Sequence, residues 1–171
     1  GVAIFVTGAI LFVMCVVGIA TASSIYAMVI WAILKGLSVG LLFIIGHDAC
    51  HSALTPNRFI NHLLARLAFL PSLTPFTAWE LGHNRLHHGW TNLKGKDYVW
   101  TPYSVAEFHC LSATRRKLEQ IYRTPLGVGL YALIEIWWKH MIHPRSTDRE
   151  KMNRVDYHSD RLLVLVFLGV D

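Results

Sequence analysis

Two long apolar stretches open the sequence and restrict what it can fold into. Residues 1–20 contain no charged side chain, and residues 25–45 contain only Lys35. As helices, stretches of about 20 residues each span roughly 30 Å, the thickness of the hydrocarbon core of a membrane. The link over residues 21–24 is short enough to permit only a tight turn. The sequence therefore predicts an antiparallel transmembrane hairpin, with helices over 1–20 and 25–46.

A cleaved signal peptide is the alternative for the first stretch. It is disfavoured because the stretch has no initiating Met, no basic segment and a long uninterrupted apolar run. The missing Met, together with an apolar run that begins at Leu162 and continues to Val170, predicts that the chain is part of a longer protein. On this interpretation residues 161–171 begin a third transmembrane helix. The overall content of 53% hydrophobic and 16% charged residues is typical of a membrane protein.

The basic charge is concentrated in one part of the chain. The formal net charge is +5, and all Lys and Arg residues except Lys35 and Arg161 lie within residues 47–160. Positively charged segments remain on the cytoplasmic side of a membrane, so we expect residues 47–160 to be cytoplasmic or interfacial. The basic residues alternate with acids and form no extended tract, which argues against nucleic-acid binding. The three cysteines are too far apart for a CxxC motif.

The segment after the hairpin is expected to consist of helices and loops. The sequence therefore predicts an all-α integral membrane protein, a transmembrane helical hairpin followed by cytoplasmic or interfacial helices that carry histidine clusters. Arg115 to Lys117 are interpreted as solvated or as contacting lipid headgroups. The expected pieces are an amphipathic helix over 59–69 ended by Pro71 and Pro75, a helix over 77–88, a structured loop over 89–103, a helix over 105–123, an interfacial helix over 126–138 and a polar connector over 144–161.

Five of the ten histidines fall in two compact clusters. In His47-Asp-Ala-Cys-His51, two imidazoles stand at i and i+4 on one helical face. The run His83-Asn-Arg-Leu-His87-His88 repeats this pair and adds an imidazole about 100° further around the helix. Burying five unpaired imidazoles beside apolar segments costs several kcal/mol, which metal coordination removes. The sequence therefore predicts a metal site with ligands His47, His51, His83, His87 and His88.

The identity of the metal and the roles of neighbouring side chains follow less directly from the residues. Imidazole suits zinc, copper and iron, but neither cluster carries the Glu of a zinc hydrolase HExxH motif. Asp48 is a candidate to hold an imidazole in orientation, with an ordinary surface carboxylate as the alternative. His140 and His143, at i and i+3, are secondary ligand candidates. No catalytic side chain beyond the metal ligands is predicted, and no dinucleotide or haem motif is present.

These motifs resemble the membrane fatty acid desaturase superfamily. The matching residues are Gly46-His-Asp-Ala-Cys-His51, His83-Asn-Arg-Leu-His-His-Gly-Trp-Thr-Asn92, Asp97 and Trp100-Thr-Pro102. The three-residue gap in the first cluster is similar to the acyl-lipid, delta-12-like branch. The resemblance implies two iron ions, O2, an acyl-chain lipid substrate and a separate electron donor, ferredoxin or cytochrome b5 with its reductase. It also implies that Asn92 and Asp97 brace the ligands or the loop, although a simple turn is the alternative.

One departure from the family pattern is that no third histidine box, of the form HxxHH, follows His88. The remaining ligands are therefore expected beyond residue 171, and the chain alone is expected to be inactive. A related membrane di-iron hydroxylase or ketolase is an alternative on the same scaffold. A histidine-rich membrane metal transporter is disfavoured, because the clusters lie at the predicted membrane edge and not near its middle. A membrane anchor or binding protein with incidental histidines is a further alternative.

Overall fold

The computed structural model describes residues 1–99 and 101–170, and all regular secondary structure within these ranges is helical. The predicted all-α class is therefore confirmed for the described residues. Two compact units form, Gly1–Phe76 with the described part of His158–Asp171, and Thr77–Tyr157. Trp100 of the predicted motif, and Asp171 at the end of the predicted third span, lie outside the described residues.

The first unit begins with the predicted helical hairpin, α1 (Val2–Thr21) and α2 (Ile25–Cys50). Both helices are long and apolar enough to cross a membrane. Only 22% of the apolar stretch of α1 and 17% of that of α2 are buried within the protein. Such exposed apolar surface distinguishes these helices from the core helices of a globular domain, which are mostly buried.

Side chains at the turn and between the two helices hold the hairpin together. Ser24 caps α2, because its hydroxyl accepts a hydrogen bond of 3.2 Å from the backbone N–H of Ala27. Phe12 of α1 packs with Leu42 and Ile45 of α2 in a small buried core. Helix α2 continues past residue 46 to Cys50, so the first histidine cluster begins inside its last turn.

Helix α3 (Arg58–Phe69) confirms the amphipathic helix predicted over 59–69. The buried Asn61 fastens the preceding linker to it, since its side chain accepts from the N–H of Thr55 at 2.9 Å and donates to the carbonyl of Thr55 at 2.7 Å. The buried face packs on α2, where the rings of Phe69 and Phe43 lie 5.3 Å apart. A 3-10 turn (Leu70–Ser72) then ends the helix, as the prolines predict.

Gly46 permits the close approach of α2 and α3. A Cβ atom at Gly46 would lie 2.7 Å from the Phe69 ring and 3.3 Å from the Ala68 Cβ, whereas a Cβ at Gly40 would meet nothing within 4 Å. Alanine favours a helix over glycine by up to about 1 kcal/mol, but overpacking costs about 1–3 kcal/mol. We therefore expect Gly46→Ala to lower the thermal unfolding midpoint in detergent and the matched Gly40→Ala to raise it slightly. A Gly46→Ala midpoint at or above that of the unmodified protein would contradict this packing.

Helix α10 closes the first unit. It covers Arg154–Val170 and starts within the predicted polar connector, because Asn153 caps it by accepting from the N–H of Val155 at 3.1 Å. The buried Asp160 accepts a 2.7 Å hydrogen bond from Arg66 Nε, and the Arg66 guanidinium lies 4.6 Å from the centre of the Phe76 ring. This ion pair joins α10 to α3.

The second unit is built from short helices, two of which have π-helical winding. Helix α4 leads directly into the first π-helix, π1, and helix α8 leads into the second, π2. The elements in chain order are α4 (Phe76–Trp79), π1 (Glu80–His87), α5 (His88–Trp90), α6 (Val105–Cys110), α7 (Ala113–Tyr122), α8 (Gly127–Tyr131), π2 (Ala132–Ile142) and α9 (Ser146–Arg149).

Two further differences from the sequence prediction concern the helices between residues 105 and 142. The single helix predicted over 105–123 is wrong, because Leu111 is extended and Ser112 starts a new helix by accepting from the N–H of Arg115 at 3.2 Å. Serine is a strong N-cap, so this position favours a new helix start over continuation. The helix predicted over 126–138 continues to Ile142 through π2.

An ion-pair network joins α7 to π2. Arg115 contacts Glu119 at 2.7 Å and Glu135 at 2.8 Å, and the Tyr122 hydroxyl donates to Glu135 at 3.1 Å. Glu119, only 3% exposed, also accepts from Arg123 at 2.6 Å. The interpretation of residues 115–117 as a solvated or headgroup-contacting group is therefore wrong for Arg115, whose charge is compensated within the protein.

A small apolar core underlies π1. Ala78 and Leu81 pack with Met141 of π2 and with Met152 and Tyr157 near the end of the unit. The second histidine cluster, on π1 and α5, is therefore carried by helices with a packed core beneath them.

Candidate metal centre

The first histidine cluster lies at the carboxyl end of α2. His47 belongs to the last turn, and His51 is the C-cap residue whose backbone N–H donates to the carbonyl of His47 at 3.2 Å. The two ring centroids are 4.7 Å apart, and one ring nitrogen of each lies within 4.8 Å of the other. The predicted placement of His47 and His51 on one helical face is confirmed.

Asp48 contacts the first cluster from the adjacent position. One of its carboxylate oxygens lies 3.1 Å from Nδ1 of His47. The Asp48 side chain is 52% exposed, so water competes for the carboxylate and weakens its hold on the ring.

The second cluster lies on π1 and the first residue of α5. The sequence predicted that His83 and His87 share a face, with His88 rotated away. Instead, the Nε2 atoms of His83 and His88 lie 3.1 Å apart and their ring centroids 4.6 Å apart, whereas the rings of His83 and His87 are 5.5 Å apart. The predicted pairing of His83 with His87 is confirmed by their stacked rings, but the predicted rotation of His88 away from His83 is wrong.

The winding of the helix explains this difference. In an α-helix a residue five positions on is rotated by about 140°, which would separate His83 from His88. Here the backbone N–H of His88 donates to the carbonyl of His83, the i to i+5 bond of a π-helix. This wider turn brings positions i and i+5 together, so the π-helix itself forms the imidazole pair.

Asp97 orients the remaining histidine of the second cluster. The Nδ1 atom of His87 lies 2.9 Å from an Asp97 carboxylate oxygen, and the carboxylate also accepts from the backbone N–H groups of Asn92, at 2.9 Å, and Val99, at 3.0 Å. Because Nδ1 carries the donated proton, the lone pair of the neutral ring is on Nε2, the nitrogen left to bind a metal.

The charge on Asp97 is stabilised where it lies, although Asp97 is only 1% exposed. Burial raises the pKa of its carboxyl, but the hydrogen bonds from Asn92, Val99 and His87 lower it by more, so the net pKa lies below the ordinary value. Asn92, which the sequence also singled out, contributes its backbone N–H and adopts a left-handed conformation with φ of 61°. Asp97 is therefore an ionised, fixed acceptor for His87.

Two contacts near His83 were missed by sequence reasoning. The indole of Trp79 stacks on the His83 ring, with centroids 4.7 Å apart and an interplanar angle of 16°. Gly82 leaves room for Tyr98, because a Cβ there would lie 1.4 Å from the Tyr98 hydroxyl oxygen. The signal for Trp79 was its position four residues before His83, which places two rings on neighbouring helical turns.

The donor atoms of the second cluster fit a transition-metal ion. Imidazole nitrogens bind such ions at about 2.1 Å, so two of them at a right angle on one ion lie about 3 Å apart. The Nε2 atoms of His83 and His88 are 3.1 Å apart. Neutral imidazoles suit iron, zinc and copper alike, so this donor set is compatible with iron.

Comparison with known sequences identifies the family. The sequence pattern that defines the fatty acid desaturase family matches residues 23–170. The chain belongs to the fatty acid desaturase family. The resemblance carried by the histidine motifs is thereby confirmed.

Curated relatives of this desaturase chain include oleoyl-lipid desaturases. It is 31% identical to the sn-1 oleoyl-lipid 12-desaturase of Picosynechococcus sp., over 61% of this chain and 27% of the relative. It is 35% identical to the enzyme of the same name from Arthrospira platensis, over 53% of this chain and 25% of the relative. It is 34% identical to the chloroplastic omega-6 fatty acid desaturase of Brassica napus, over 48% of this chain and 18% of the relative. The chain spans about a quarter of the length of the first two relatives, and the delta-12-like resemblance is confirmed.

The two secondary ligand candidates, His140 and His143, have aromatic surroundings. The His140 ring stacks on Tyr98, with centroids 3.8 Å apart and an interplanar angle of 9°, and the His143 ring lies 4.5 Å from that of Trp138. Within residues 1–99 and 101–170, neither belongs to a group of three or more side chains that could hold a metal ion. Metal binding by His140 and His143 therefore stays a prediction.

Proposed function

We propose that the full-length protein containing this chain is an O2-dependent di-iron desaturase that introduces a double bond into the acyl chain of a membrane lipid. The observation that carries the proposal is the second histidine cluster. It pairs His83 with His88 and holds His87 on a buried carboxylate, in a chain that belongs to the desaturase family. The names of the relatives support an oleoyl-lipid substrate and a new double bond at position 12.

We propose that the imidazoles of both clusters are iron ligands, and that the remaining ligands come from other parts of the full-length protein. Iron held there would supply the oxidation of the acyl chain by O2. The residues of this chain contribute ligand atoms and their orientation, His87 through Asp97 and His47 through Asp48. The proposed ligands are His47, His51, His83, His87 and His88.

We further propose that α1 and α2 span the membrane and that the histidine clusters lie on its cytoplasmic side. The exposed apolar surface of both helices and the basic residues of 47–160 support this orientation. The electrons are proposed to come from ferredoxin, or from cytochrome b5 with its reductase. An acidic donor of this kind is attracted by a basic cytoplasmic surface.

Expression of the full-length protein in a host without polyunsaturated lipids tests the function. With an electron donor present, we expect a new diunsaturated fatty acid in the membrane lipids, detected by gas chromatography, and about two irons per purified chain by metal analysis. A hydroxy or keto product would identify a hydroxylase or ketolase. Metal accumulation without a change in the fatty acids would indicate a transporter. An unchanged fatty acid profile, despite verified membrane expression and an active donor, would refute desaturation.

A further inference from the structure

A polar cleft of about 460 Å³ opens within the second unit, and none of the five proposed iron ligands lines it, although Asp97, which contacts His87, does. One wall is the loop that contains Lys96 and Thr101, and the other runs from His140 at the end of π2 to Lys151 after α9. Arg145 lies on this second wall. The cleft is therefore lined by basic and hydrogen-bonding side chains from two separate segments.

The charged side chains that line the cleft sum to +1, from three cations (Lys96, Arg145 and Lys151) and two carboxylates (Asp97 and Asp148). Asp97 also lines it, but that carboxylate is engaged by three hydrogen bonds and is 1% exposed. Asp148 lies 3.5 Å from the ammonium of Lys151. Among the described residues, neither Lys96 nor Arg145 pairs with a carboxylate, and Lys96 lies 3.6 Å from the centre of the Trp90 ring. The surplus charge of the cleft is positive.

His140 adds an unsatisfied polar atom to the same cleft. Its Nδ1 atom is buried and has no hydrogen-bond partner among the described residues, while its ring is fixed flat on Tyr98. Burial, helped by the positive charge of Arg145, lowers the pKa of His140 to about 4, so the ring is neutral near pH 7 and carries one N–H donor. Leaving a buried polar atom unpaired costs about 1–3 kcal/mol, and a ligand in the cleft would remove this cost.

We propose that this cleft binds a phosphate group, with Arg145 and Lys96 supplying the charge and His140 a hydrogen bond. Guanidinium binds phosphate oxygens in a bidentate manner, and ammonium binds them as a point charge. The hydroxyl group of Thr147, which also lines the cleft, is a further donor. A volume of 460 Å³ exceeds the size of a phosphate alone, so the cleft has room for the group esterified to it. That phosphate comes either from a lipid headgroup or from a soluble phosphate compound.

Binding to the purified full-length protein tests this site without any measurement of desaturation. Inorganic phosphate is titrated into the detergent-solubilised protein by calorimetry. In a second arm, binding is measured to vesicles of a galactolipid alone and to the same vesicles containing phosphatidic acid. We expect Arg145→Gln to weaken phosphate binding about tenfold or more, because a charge-assisted hydrogen bond is lost. His140→Phe keeps a flat ring on Tyr98 but removes the ring nitrogens, and it is expected to weaken phosphate binding several-fold.

Arg149→Gln is the matched control for Arg145→Gln. Arg145 is the N-cap residue of α9 and Arg149 is its last residue, but Arg149 does not line the cleft. The control variant is expected to bind phosphate like the unmodified protein. Saturable binding of inorganic phosphate that depends on Arg145 would identify a soluble phosphate compound as a source. Arg145-dependent binding of phosphatidic acid vesicles alone would identify a lipid headgroup. Absence of binding in both arms, or equal losses for Arg145→Gln and Arg149→Gln, would overturn the proposal.

Discussion

Replacement of His83 by glutamine in the full-length protein is expected to abolish the proposed desaturation and to remove bound iron. Its Nε2 atom lies 3.1 Å from that of His88, and its ring is held by stacking on Trp79, so glutamine places no nitrogen lone pair at this position. Losing a partner outside the ligand sphere typically costs about 10- to 100-fold in metal affinity or activity. We expect loss of a ligand itself to exceed about 100-fold, measured as the diunsaturated product and as iron per purified chain.

His109→Gln is the matched control for this substitution. His109 is exposed near the end of α6 and lies outside both histidine clusters. The centroid of its ring lies 6.2 Å from that of Phe108. This variant is expected to retain its iron and its product. Size-exclusion chromatography shows whether both variants are folded to the same extent. Full iron content and activity in folded His83→Gln protein would remove His83 from the metal site.

Replacement of Asp97 by asparagine is expected to lower iron content or activity by about 10- to 100-fold. The carboxylate accepts hydrogen bonds from Nδ1 of His87 and from the backbone N–H groups of Asn92 and Val99. An amide has only one accepting oxygen, so its NH2 group would face one of these donors. The substitution therefore replaces the charged acceptor for Nδ1 of His87 by a neutral amide and leaves one buried donor unpaired.

Asp48→Asn is the control for Asp97→Asn, because it also removes a carboxylate that contacts a proposed ligand. Asp48 is 52% exposed and contacts His47 at 3.1 Å, so water can replace much of its interaction. We expect a loss of no more than about fivefold. Iron content at equal amounts of folded protein distinguishes orientation of His87 from a general loss of stability. Unchanged iron binding and activity in Asp97→Asn, or an equally large loss in Asp48→Asn, would contradict the role assigned to Asp97.

Much of the architecture and the candidate ligand set follows from local features of the sequence. The lengths of the two apolar runs predicted α1 and α2, because helix rise and membrane thickness set the required length. The spacing of His47 and His51 predicted their shared face, because α2 keeps regular α-helical geometry up to Cys50. The histidine motifs themselves were sufficient to indicate the family, which the match over residues 23–170 confirms.

Tertiary packing decided the features that local spacing does not encode. The change from α to π winding over Glu80–His87 paired His83 with His88, whereas the regular 3.6-residue period predicted a pair with His87. The contact between His87 and Asp97 depends on the path of the intervening loop, which is set by backbone hydrogen bonds such as that from the N–H of Asp97 to the carbonyl of Leu93 at 2.9 Å. The sequence by itself therefore determined which residue types are available as ligands. The winding of π1, which lies on a packed core, and the loop path, which hydrogen bonds within the loop set, determined which of these side chains meet.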